Sequence, residues 1–464
     1  MGMGVLVWVL VVLSACMGLC LLVYTAMYPR TGYGLIGMLP FAFIAMLLLC
    51  ERALSNIPEN AGLTVLVAFQ WIRLCLCPFV AVLVGNYYES IPLHDRYSTT
   101  RAVLLMTYEA IVIGCVLRGP IRSRMVVHAG LDDRNANRRM LWIMSALLAV
   151  AVVLNFFAPE ILQGYRPITE AGEEDFTQVE QSWIVDAALE ADSSFLHKFC
   201  LVSANYMFTW LRLLLPACAI VLLHRSKLVG RRMLIWAVVL SPLIFVDGAI
   251  ARSLYFVLLL FIMYVGLRGW SVRRWVSYAL VLALLSVVLY WVLRWRTGSG
   301  NGTTFAIQHI MNYFCGYNIV AATFNLPQDW PTRLHFLLND ALRCVPFANT
   351  IFGLRGSDNI QTFFNMRAGT PGGLIPTATG LGCYYLGPLL GVLFAAAFAR
   401  LSFVFGQRAV GEQNPFWNLF YLYFSFIMAM GIGMYNISIS MTTIVVAVCP
   451  IGLVCLLAYP RRAI

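Results

Sequence analysis

The feature that most constrains this chain is a series of twelve apolar runs, each bounded by charged or turn-forming residues. Most of them approach the ~20 residues that an α-helix needs to cross the hydrocarbon core of a bilayer. They predict an all-α fold, a polytopic transmembrane helical bundle of about 12 spans. The runs lie near residues 4–27, 34–50, 63–86, 102–117, 140–158, 199–223, 233–249, 253–267, 275–293, 379–399, 416–433 and 440–459.

Composition excludes the other classes of chain. Of the 464 residues, 61% are hydrophobic and only 11% are charged, whereas soluble globular domains carry roughly 25% charged residues. A mean hydropathy of +0.79 also excludes disordered, collagenous and secreted disulfide-scaffold proteins. Most of the thirteen cysteines lie in or beside apolar runs, which is typical of small buried side chains rather than of a disulfide or zinc framework. We therefore treat residues 1–464 as a single integral membrane domain.

The distribution of basic residues predicts the orientation. If the N-terminus is inside, the inner connections hold 18 of the 32 Lys and Arg residues, in mostly short segments. The outer connections then hold 12 over much longer loops, and Arg73 and Arg212 fall inside spans. Because inner loops are normally richer in Lys and Arg, both termini are expected inside.

Two outer connections are too long to be simple turns. Residues 159–198 form an acidic loop with nine of the 21 acidic residues, and residues 294–378 form a large loop with six arginines against three aspartates. Long loops in a compact protein are usually functional. Apolar residues at helical spacing over 305–325 and 333–352 predict short amphipathic helices on the outer membrane face.

The six arginines of the large loop oppose the usual charge bias, so we expect something to hold them there. The planar guanidinium fork suits the oxygens of a phosphate or pyrophosphate, and at an outer membrane face the head of a polyprenyl lipid carrier is such a group. The alternative is that they anchor the loop at lipid headgroups or pair with the acidic loop. They are Arg294, Arg296, Arg333, Arg343, Arg355 and Arg367.

Four further charges lie in or beside spans. Arg252 sits in a short outer connection and could point into a cavity shared by the spans, or anchor at headgroups. Arg73 and Glu109 fall near the middle of adjacent spans and predict a structural ion pair, because an unpaired charge at that depth costs about 3 kcal/mol. Arg212 has no evident partner in the sequence, which makes it a candidate for a cavity wall facing a lipid-linked substrate.

Other chemistry is not indicated. No phosphate-binding loop, dinucleotide fingerprint, zinc-binding spacing or nucleophile elbow occurs, so we expect neither a cofactor nor a bound metal. His309 and His335 are the histidines of the large loop, and both fall on apolar helical faces. Burial is the simpler interpretation of each, with proton transfer as the alternative.

Three segments are informative as motifs. They are Ala251-Arg252-Ser253 opening a span, Tyr313-Phe314-Cys315-Gly316-Tyr317-Asn318, and Ile375-Pro376-Thr377-Ala378-Thr379-Gly380 leading into Tyr384-Tyr385-Leu386-Gly387-Pro388-Leu389-Leu390-Gly391. These motifs, within about residues 247–254 and 313–391, resemble those of the Wzy-type repeat-unit polymerases of O-antigen and capsule synthesis. The architecture of twelve spans with one moderate and one large outer loop is similar over the whole chain.

The resemblance implies a glycosyltransferase of the bacterial inner membrane, active in O-antigen, capsule or exopolysaccharide biosynthesis. Donor and acceptor would both be oligosaccharides on undecaprenyl pyrophosphate, and a chain-length regulator and a flippase would be its partners; no nucleic acid is implied. The leaving group is already a pyrophosphate, so the enzyme mainly has to orient the acceptor hydroxyl and stabilise the departing charge. The expected catalytic residues are Arg252, Arg343, Arg355, Arg367, His335 and Asp358, and the expected substrate-binding residues are Arg212, Arg333, Tyr313, Tyr384 and Tyr385.

Three alternatives remain. An O-antigen ligase-like transferase would hand a finished glycan to a lipid acceptor and is expected to depend on a loop histidine. A lipid-linked oligosaccharide flippase or transporter is expected to show internal repeats and broken spans, and the two halves of this sequence do not match. A non-catalytic membrane scaffold would leave the outer arginines unexplained.

Overall fold

A computed structural model describes most of the chain. The described residues are 5–54, 60–83, 95–118, 134–160, 165–166, 194–243, 246–247, 250–267, 314, 316–345, 351–352, 354, 359–368, 374–434 and 436–460. Among the sites predicted from sequence, Tyr313, Arg355 and Asp358 lie outside these residues, as does the predicted span 275–293.

The regular secondary structure of the described residues is helical apart from one short strand pair. The helices are α1 (Val5–Met27), α2 (Met38–Leu49), α3 (Glu51–Leu54), α4 (Ala61–Trp71), α5 (Cys77–Leu83), α6 (Ser98–Val116), α7 (Arg134–Phe157), α8 (Phe195–Arg225), α9 (Arg231–Leu240), α10 (Ile250–Leu267), α11 (Tyr317–Thr323), α12 (Trp330–Arg343), α13 (Ile360–Ala368), α14 (Ala378–Val410), α15 (Pro415–Gly433), α16 (Ile437–Thr443) and α17 (Cys449–Ala458). Strand β1 (Tyr165–Arg166) pairs antiparallel with β2 (Val246–Asp247).

Eight helical stretches in the described part are long and apolar enough to cross a membrane. They are α1, the stretch from α4 to α5, α6, α7, α8, α14, α15 and the stretch from α16 to α17. Two shorter apolar helices, Met38–Leu49 and Arg252–Leu267, coincide with two more of the predicted spans. The chain is therefore a helical protein with several apolar helices, which indicates a multi-pass membrane protein.

The bundle has two ends, which we call the α12 end and the opposite end. At the α12 end, α12 is joined to α16 because Thr442 Oγ1 donates to Arg343 O at 3.2 Å. At the opposite end, Tyr459 Oη donates to Asn137 Oδ1 at 2.8 Å, which joins the last residues of α17 to the first turn of α7. The predicted orientation makes the α12 end the outer one.

The predicted ion pair between Arg73 and Glu109 is confirmed. Arg73 Nη1 donates to Glu109 Oε1, and both side chains are only 1% exposed. Gln70 Nε2 donates to the same carboxylate oxygen at 3.3 Å. The pair ties the segment between α4 and α5 to α6 inside the bundle, where a lone charge would be far less stable.

Two helices contain a π-helical turn that is followed by a Cys-Pro pair. The segment Ile72–Leu76 precedes Cys77-Pro78, and the segment Ile444–Val448 precedes Cys449-Pro450. Proline has no N–H, so the carbonyl four residues before it loses its normal α-helical donor. Trp210 Nε1 of α8 donates to one such carbonyl, that of Val446, at 2.7 Å. The proline thereby provides an acceptor that fixes α8 to the π-helical turn.

Helix α14 is bent sharply at Gly387. Gly387 has φ 81° and ψ 172°, a conformation open to glycine alone, and Pro388 begins the next helical segment. Gly382 and Gly391 are nine residues apart, about 13 Å in a straight helix, yet a Cβ added to Gly382 would lie 2.2 Å from Gly391 O. The short segment 378–386 therefore folds back beside the long segment 388–410.

The predicted span 233–249 is also interrupted. Helix α9 and the 3₁₀ turn Ser241–Leu243 rise only about 20 Å, short of the ~30 Å of a bilayer core. The chain then continues as β2, which pairs with β1 from the loop 159–198. Non-helical backbone at membrane depth needs cover from protein or a water-filled cavity. This connection, predicted as a short outer turn, therefore contains a strand that pairs with another part of the chain.

Candidate functional site

Helix α12 has the opposite polarity to a surface helix of a soluble protein. Trp330, Leu334 and Leu338 are 60%, 40% and 54% exposed, whereas Asn339 and Asp340 are buried. An apolar stripe that faces outward beside a buried polar face is typical of a helix in contact with lipid. The helix begins where Asp329 accepts a hydrogen bond from Thr332 N at 3.0 Å. This outcome agrees with the predicted amphipathic helix, although it ends at Arg343 rather than at residue 352.

The other predicted amphipathic helix is different. Helix α11 is buried over all of its residues, so it does not lie on the membrane face. It packs against α6 and α14 instead. For this described part of the helix predicted over 305–325, the expected surface position was wrong, because apolar residues at helical spacing are equally compatible with burial on every side.

Asp340 is the buried acid at the centre of this region. Its side chain is 4% exposed, and Tyr385 Oη of α14 donates to Asp340 Oδ2 at 2.7 Å. Burial raises the pKa of Asp340 to about 6, and the Tyr385 hydrogen bond and the charge of Arg343 act in the opposite direction. Tyr385, predicted as a substrate-binding residue, is 1% exposed and directly holds this carboxylate.

Arg333 and Tyr384 form a second pair between α12 and α14. The guanidinium carbon of Arg333 lies 5.7 Å from the centre of the Tyr384 ring, a cation–π arrangement. Arg333 Nη2 also donates to Gln328 Oε1. The fold at Gly387 positions both tyrosines, because they lie in the short segment 378–386.

His335 and Arg343 are the other two residues of α12 that were predicted as site residues. Asn339 Nδ2 donates to His335 Nε2 at 3.0 Å, and the His335 side chain is exposed rather than buried, contrary to the simpler interpretation of the sequence. Arg343 is half-buried in the last turn of the helix. Arg367 is exposed at the end of α13, a helix that packs on α12 through Phe336 and Phe363, whose ring centres are 4.8 Å apart.

Arg212 has partners in the structure, which corrects the expectation that it has none. Arg212 Nη2 donates to Ser253 Oγ at 2.6 Å and to Pro242 O at 3.4 Å, and its guanidinium carbon lies 5.6 Å from the centre of the Phe256 ring. It therefore stabilises the interrupted end of α9 and joins it to α10. Arg252, next to Ser253, is half-buried at the start of α10.

A groove of about 430 Å³ lies beside Arg212. Its walls come from α7, α8 and α9 and include Leu148, Phe208, Val238 and Pro242. The groove is almost entirely apolar apart from the arginine. Its chemistry suits a hydrocarbon chain that carries an anionic group.

The helical stretch from α16 to α17 contacts both α8, which carries Arg212, and α12. Trp210 of α8 bonds to Val446 O, and Thr442, four residues earlier in the same helical stretch, bonds to Arg343 O. Four residues correspond to about 6 Å of helix rise. Arg212 on α8 and Arg343 on α12 therefore lie on elements held by the same short helical stretch, although they are 131 residues apart in sequence.

Several buried polar atoms on α11 to α14 have no hydrogen-bond partner within the described residues. They belong to helices that share one apolar cluster containing Ile319, Phe336, Phe364 and Tyr384. Buried polar groups are nearly always paired, so such a concentration calls for water or a polar ligand. The atoms are both amide atoms of Asn318, Arg333 Nε, Asp340 Oδ1, Asn365 Oδ1, Thr379 Oγ1 and Tyr384 Oη.

Asp340 was not among the residues predicted from sequence. Its signal is the spacing of Phe336, Asn339, Asp340 and Arg343 on one helical face, opposite the stripe of Trp330, Leu334 and Leu338. No group of three or more His, Cys, Asp or Glu side chains that could hold a metal ion occurs among the described residues.

Comparisons with known proteins do not identify a relative. No family model, no curated protein and no solved structure matches the chain. Fold and site together define the class: a helical protein with several candidate membrane spans and a polar, partly cationic site at one end of the bundle.

Proposed function

We propose that this protein is a glycosyltransferase that joins polyprenyl-pyrophosphate-linked oligosaccharide repeat units at the outer face of the bacterial inner membrane. The substrate is an amphiphile with an apolar tail, an anionic linker and a polyhydroxylated head. Each part has a counterpart among the described residues.

The observation that carries the proposal is the arrangement on α12. An apolar stripe faces outward, two arginines lie on the same helix, and the opposite face is buried and polar. A purely apolar ligand would not need the buried polar face, and a soluble sugar would not need the apolar stripe. An amphiphilic lipid-linked glycan uses both.

The polar head of the substrate would form hydrogen bonds with the buried atoms that have no partner within the described residues. Asn318, Thr379, Asn365 and Tyr384 offer amide and hydroxyl groups, and sugar hydroxyls can both donate to them and accept from them. Leaving such groups buried without partners costs about 1–3 kcal/mol each. Binding of a glycan would recover that free energy.

The linker would be bound by arginine. Arg333 and Arg343 on α12 offer guanidinium forks that suit a pyrophosphate, and their charge would stabilise the diphosphate as it leaves the anomeric carbon. Arg212 lines the apolar groove, and Arg252 precedes Ser253, the residue that Arg212 contacts. These two arginines would bind the anionic end of a second lipid-linked substrate. Reaction between two lipid-linked substrates needs two such places.

Replacement of Arg343 by alanine in cells tests this assignment. We expect Arg343→Ala to abolish polymer and leave single-repeat lipid intermediates in place, because the leaving group loses a stabilising charge worth about 10²-fold or more in rate. Glycan length on gels is the measurement, with protein level followed by immunoblot.

Arg231→Ala is the matched control, since Arg231 is exposed at the start of α9, on a different helix from Arg343, and donates to Ser226 O. It should leave polymer length unchanged. Normal polymer in the Arg343 variant at a normal protein level would contradict the proposed role of the arginine.

The first alternative is an O-antigen ligase-like transfer of glycan to a different lipid acceptor. It is favoured by one observation, the exposed His335 whose imidazole is oriented by Asn339. The two functions differ in the phenotype of His335→Ala. Complete loss of glycan on the lipid acceptor supports a ligase, whereas a normal ladder supports the polymerase.

The second alternative is a flippase or transporter of lipid-linked oligosaccharide. It is favoured by the interrupted helices α9 and α14, since broken helices surround the binding sites of many transporters. Movement of a fluorescent lipid-linked oligosaccharide across proteoliposomes, without a change in its length, would support transport over polymerisation.

A further inference from the structure

Asp340 on α12 has one carboxylate oxygen that accepts no hydrogen bond from any described residue. Asp340 Oδ2 receives the hydroxyl of Tyr385 at 2.7 Å, whereas the buried Oδ1 has no partner among the described residues. A hydroxyl that entered beside Oδ1 would be its donor.

The position of Asp340 is fixed from several sides. Ser438 Oγ of α16 donates to Asp340 O at 3.5 Å, and Cys344 Sγ donates to the same carbonyl at 3.2 Å. Thr442 Oγ1 holds the next turn through Arg343 O. A group held this firmly can be placed accurately against a substrate.

Few titratable or charged groups among the described residues act on Asp340. Arg343 lies one turn further along α12, Tyr385 faces Asp340 from α14, and Cys344 follows the helix. The described residues of α16 carry no titratable side chain, and the charged residue of α13, Arg367, is exposed. Because burial outweighs the hydrogen bond and the arginine, the pKa of Asp340 is about 6, close to the value that suits a base working near neutral pH.

We propose that Asp340 is the base that takes the proton from the acceptor hydroxyl, and that Tyr385 is the residue that positions it. The proposal rests on the proposed glycosyl transfer. As the acceptor oxygen forms its bond to the anomeric carbon, its proton passes to Asp340 Oδ1. The bond between the anomeric carbon and the pyrophosphate oxygen breaks, and the diphosphate leaves with the electron pair. Asp340 then releases the proton to water.

The sequence did not identify a general base and left Asp358, His335 and His309 as candidates. Of these, the described His335 is less suitable than Asp340. Its Nε2 accepts the amide of Asn339 at 3.0 Å, and the ring lies on the exposed side of α12. Asp340 Oδ1 is on the buried side of α12 and has no donor within the described residues. The geometry thus favours the carboxylate over the imidazole.

The test uses the full-length protein in proteoliposomes with a purified lipid-linked repeat unit, comparing wild type, Asp340→Asn, Tyr385→Phe and Asp329→Asn. Asp329→Asn is the matched control, since it changes an exposed acid on the same helix and keeps a good N-cap. Polymerisation rate is measured from pH 5 to pH 8, together with binding of the lipid-linked repeat.

We expect Asp340→Asn to lower the rate at least about 100-fold with binding unchanged, and Asp329→Asn to behave as wild type. Tyr385→Phe should remain active but need a higher pH, because it loses a hydrogen bond that lowers the pKa of Asp340. That displacement of the pH profile would not follow from a purely structural role of Tyr385.

Two other outcomes are distinguishable. If wild type forms polymer and Asp340→Asn does so within about threefold at every pH, Asp340 is not the base while the glycosyl transfer stands. If wild type forms no polymer, the proposed function fails and this inference fails with it. Should Asp340→Asn not fold, the pH profile of Tyr385→Phe decides, and an unchanged profile would overturn the proposal.

Discussion

At the scale of single residues, the charges inside the bundle are stabilised by particular partners. Arg73 is held by Glu109, with Gln70 beside it, and Arg212 is held by Ser253 and the Pro242 carbonyl. A buried ion pair adds little stability compared with apolar residues of the same size, but removal of one partner leaves an uncompensated charge.

Replacement of Glu109 by glutamine should therefore be strongly destabilising. We expect a loss of about 3–5 kcal/mol, since Arg73 keeps its charge at 1% exposure but loses the carboxylate of Glu109. Thermal unfolding in detergent measures the change. The double variant Arg73→Met with Glu109→Gln should recover most of the loss, and a double variant less stable than Glu109→Gln alone would contradict this account.

Asp340 makes stability depend on pH. Its pKa is raised to about 6 in the folded protein from 3.8 in the unfolded chain, so the protonated form favours folding. The contribution is fully present below pH 3.8 and is lost as the pH rises through 6, a change of about 3 kcal/mol at 1.4 kcal/mol per pH unit.

Comparison of wild type with Asp340→Asn isolates this contribution. Between pH 4 and pH 7 the unfolding temperature of wild type should fall relative to that of the variant. A constant difference across this range would show that Asp340 titrates normally.

At the scale of elements, a proline and a glycine interrupt helices at positions that bring the elements of the candidate site together. Pro450 frees the Val446 carbonyl, which holds α8 through Trp210, and Gly387 folds α14 so that Tyr384 and Tyr385 meet α12. Each interruption replaces a local backbone interaction with a contact between distant segments. Both prolines that follow π-helical turns were visible in the sequence, but their tertiary partners were not.

The Trp210 contact can be tested with a pair of substitutions. Trp210→Phe should lower stability by about 1 kcal/mol, because the Val446 carbonyl loses its donor. In a Pro450→Ala background the backbone N–H of residue 450 can supply that donor, so the same change should be less harmful. Thermal unfolding of the four proteins measures the coupling, and fully additive effects would contradict the explanation.

At the scale of the whole molecule, the sequence predicts the helical membrane architecture because a bilayer demands long apolar runs. Eight candidate spans lie in the described part, and the Arg73–Glu109 pair followed from the high energy of buried charge. The broken helices were missed because hydropathy averaged over a window does not register a change of direction at Gly387-Pro388. Asp340 and the partners of Arg212 were missed because they depend on contacts across 45 and 41 residues.

We propose, for the whole molecule, that one membrane protein joins lipid-linked glycans without a nucleotide-sugar donor. The direct measurement is to reconstitute the purified protein in proteoliposomes with a polyprenyl-pyrophosphate-linked repeat unit, with no nucleotide or metal added, and to analyse the products by size. We predict a ladder of two, three and more repeats with release of polyprenyl pyrophosphate. A product that stays at one repeat unit, with active protein shown by bound substrate, would contradict it.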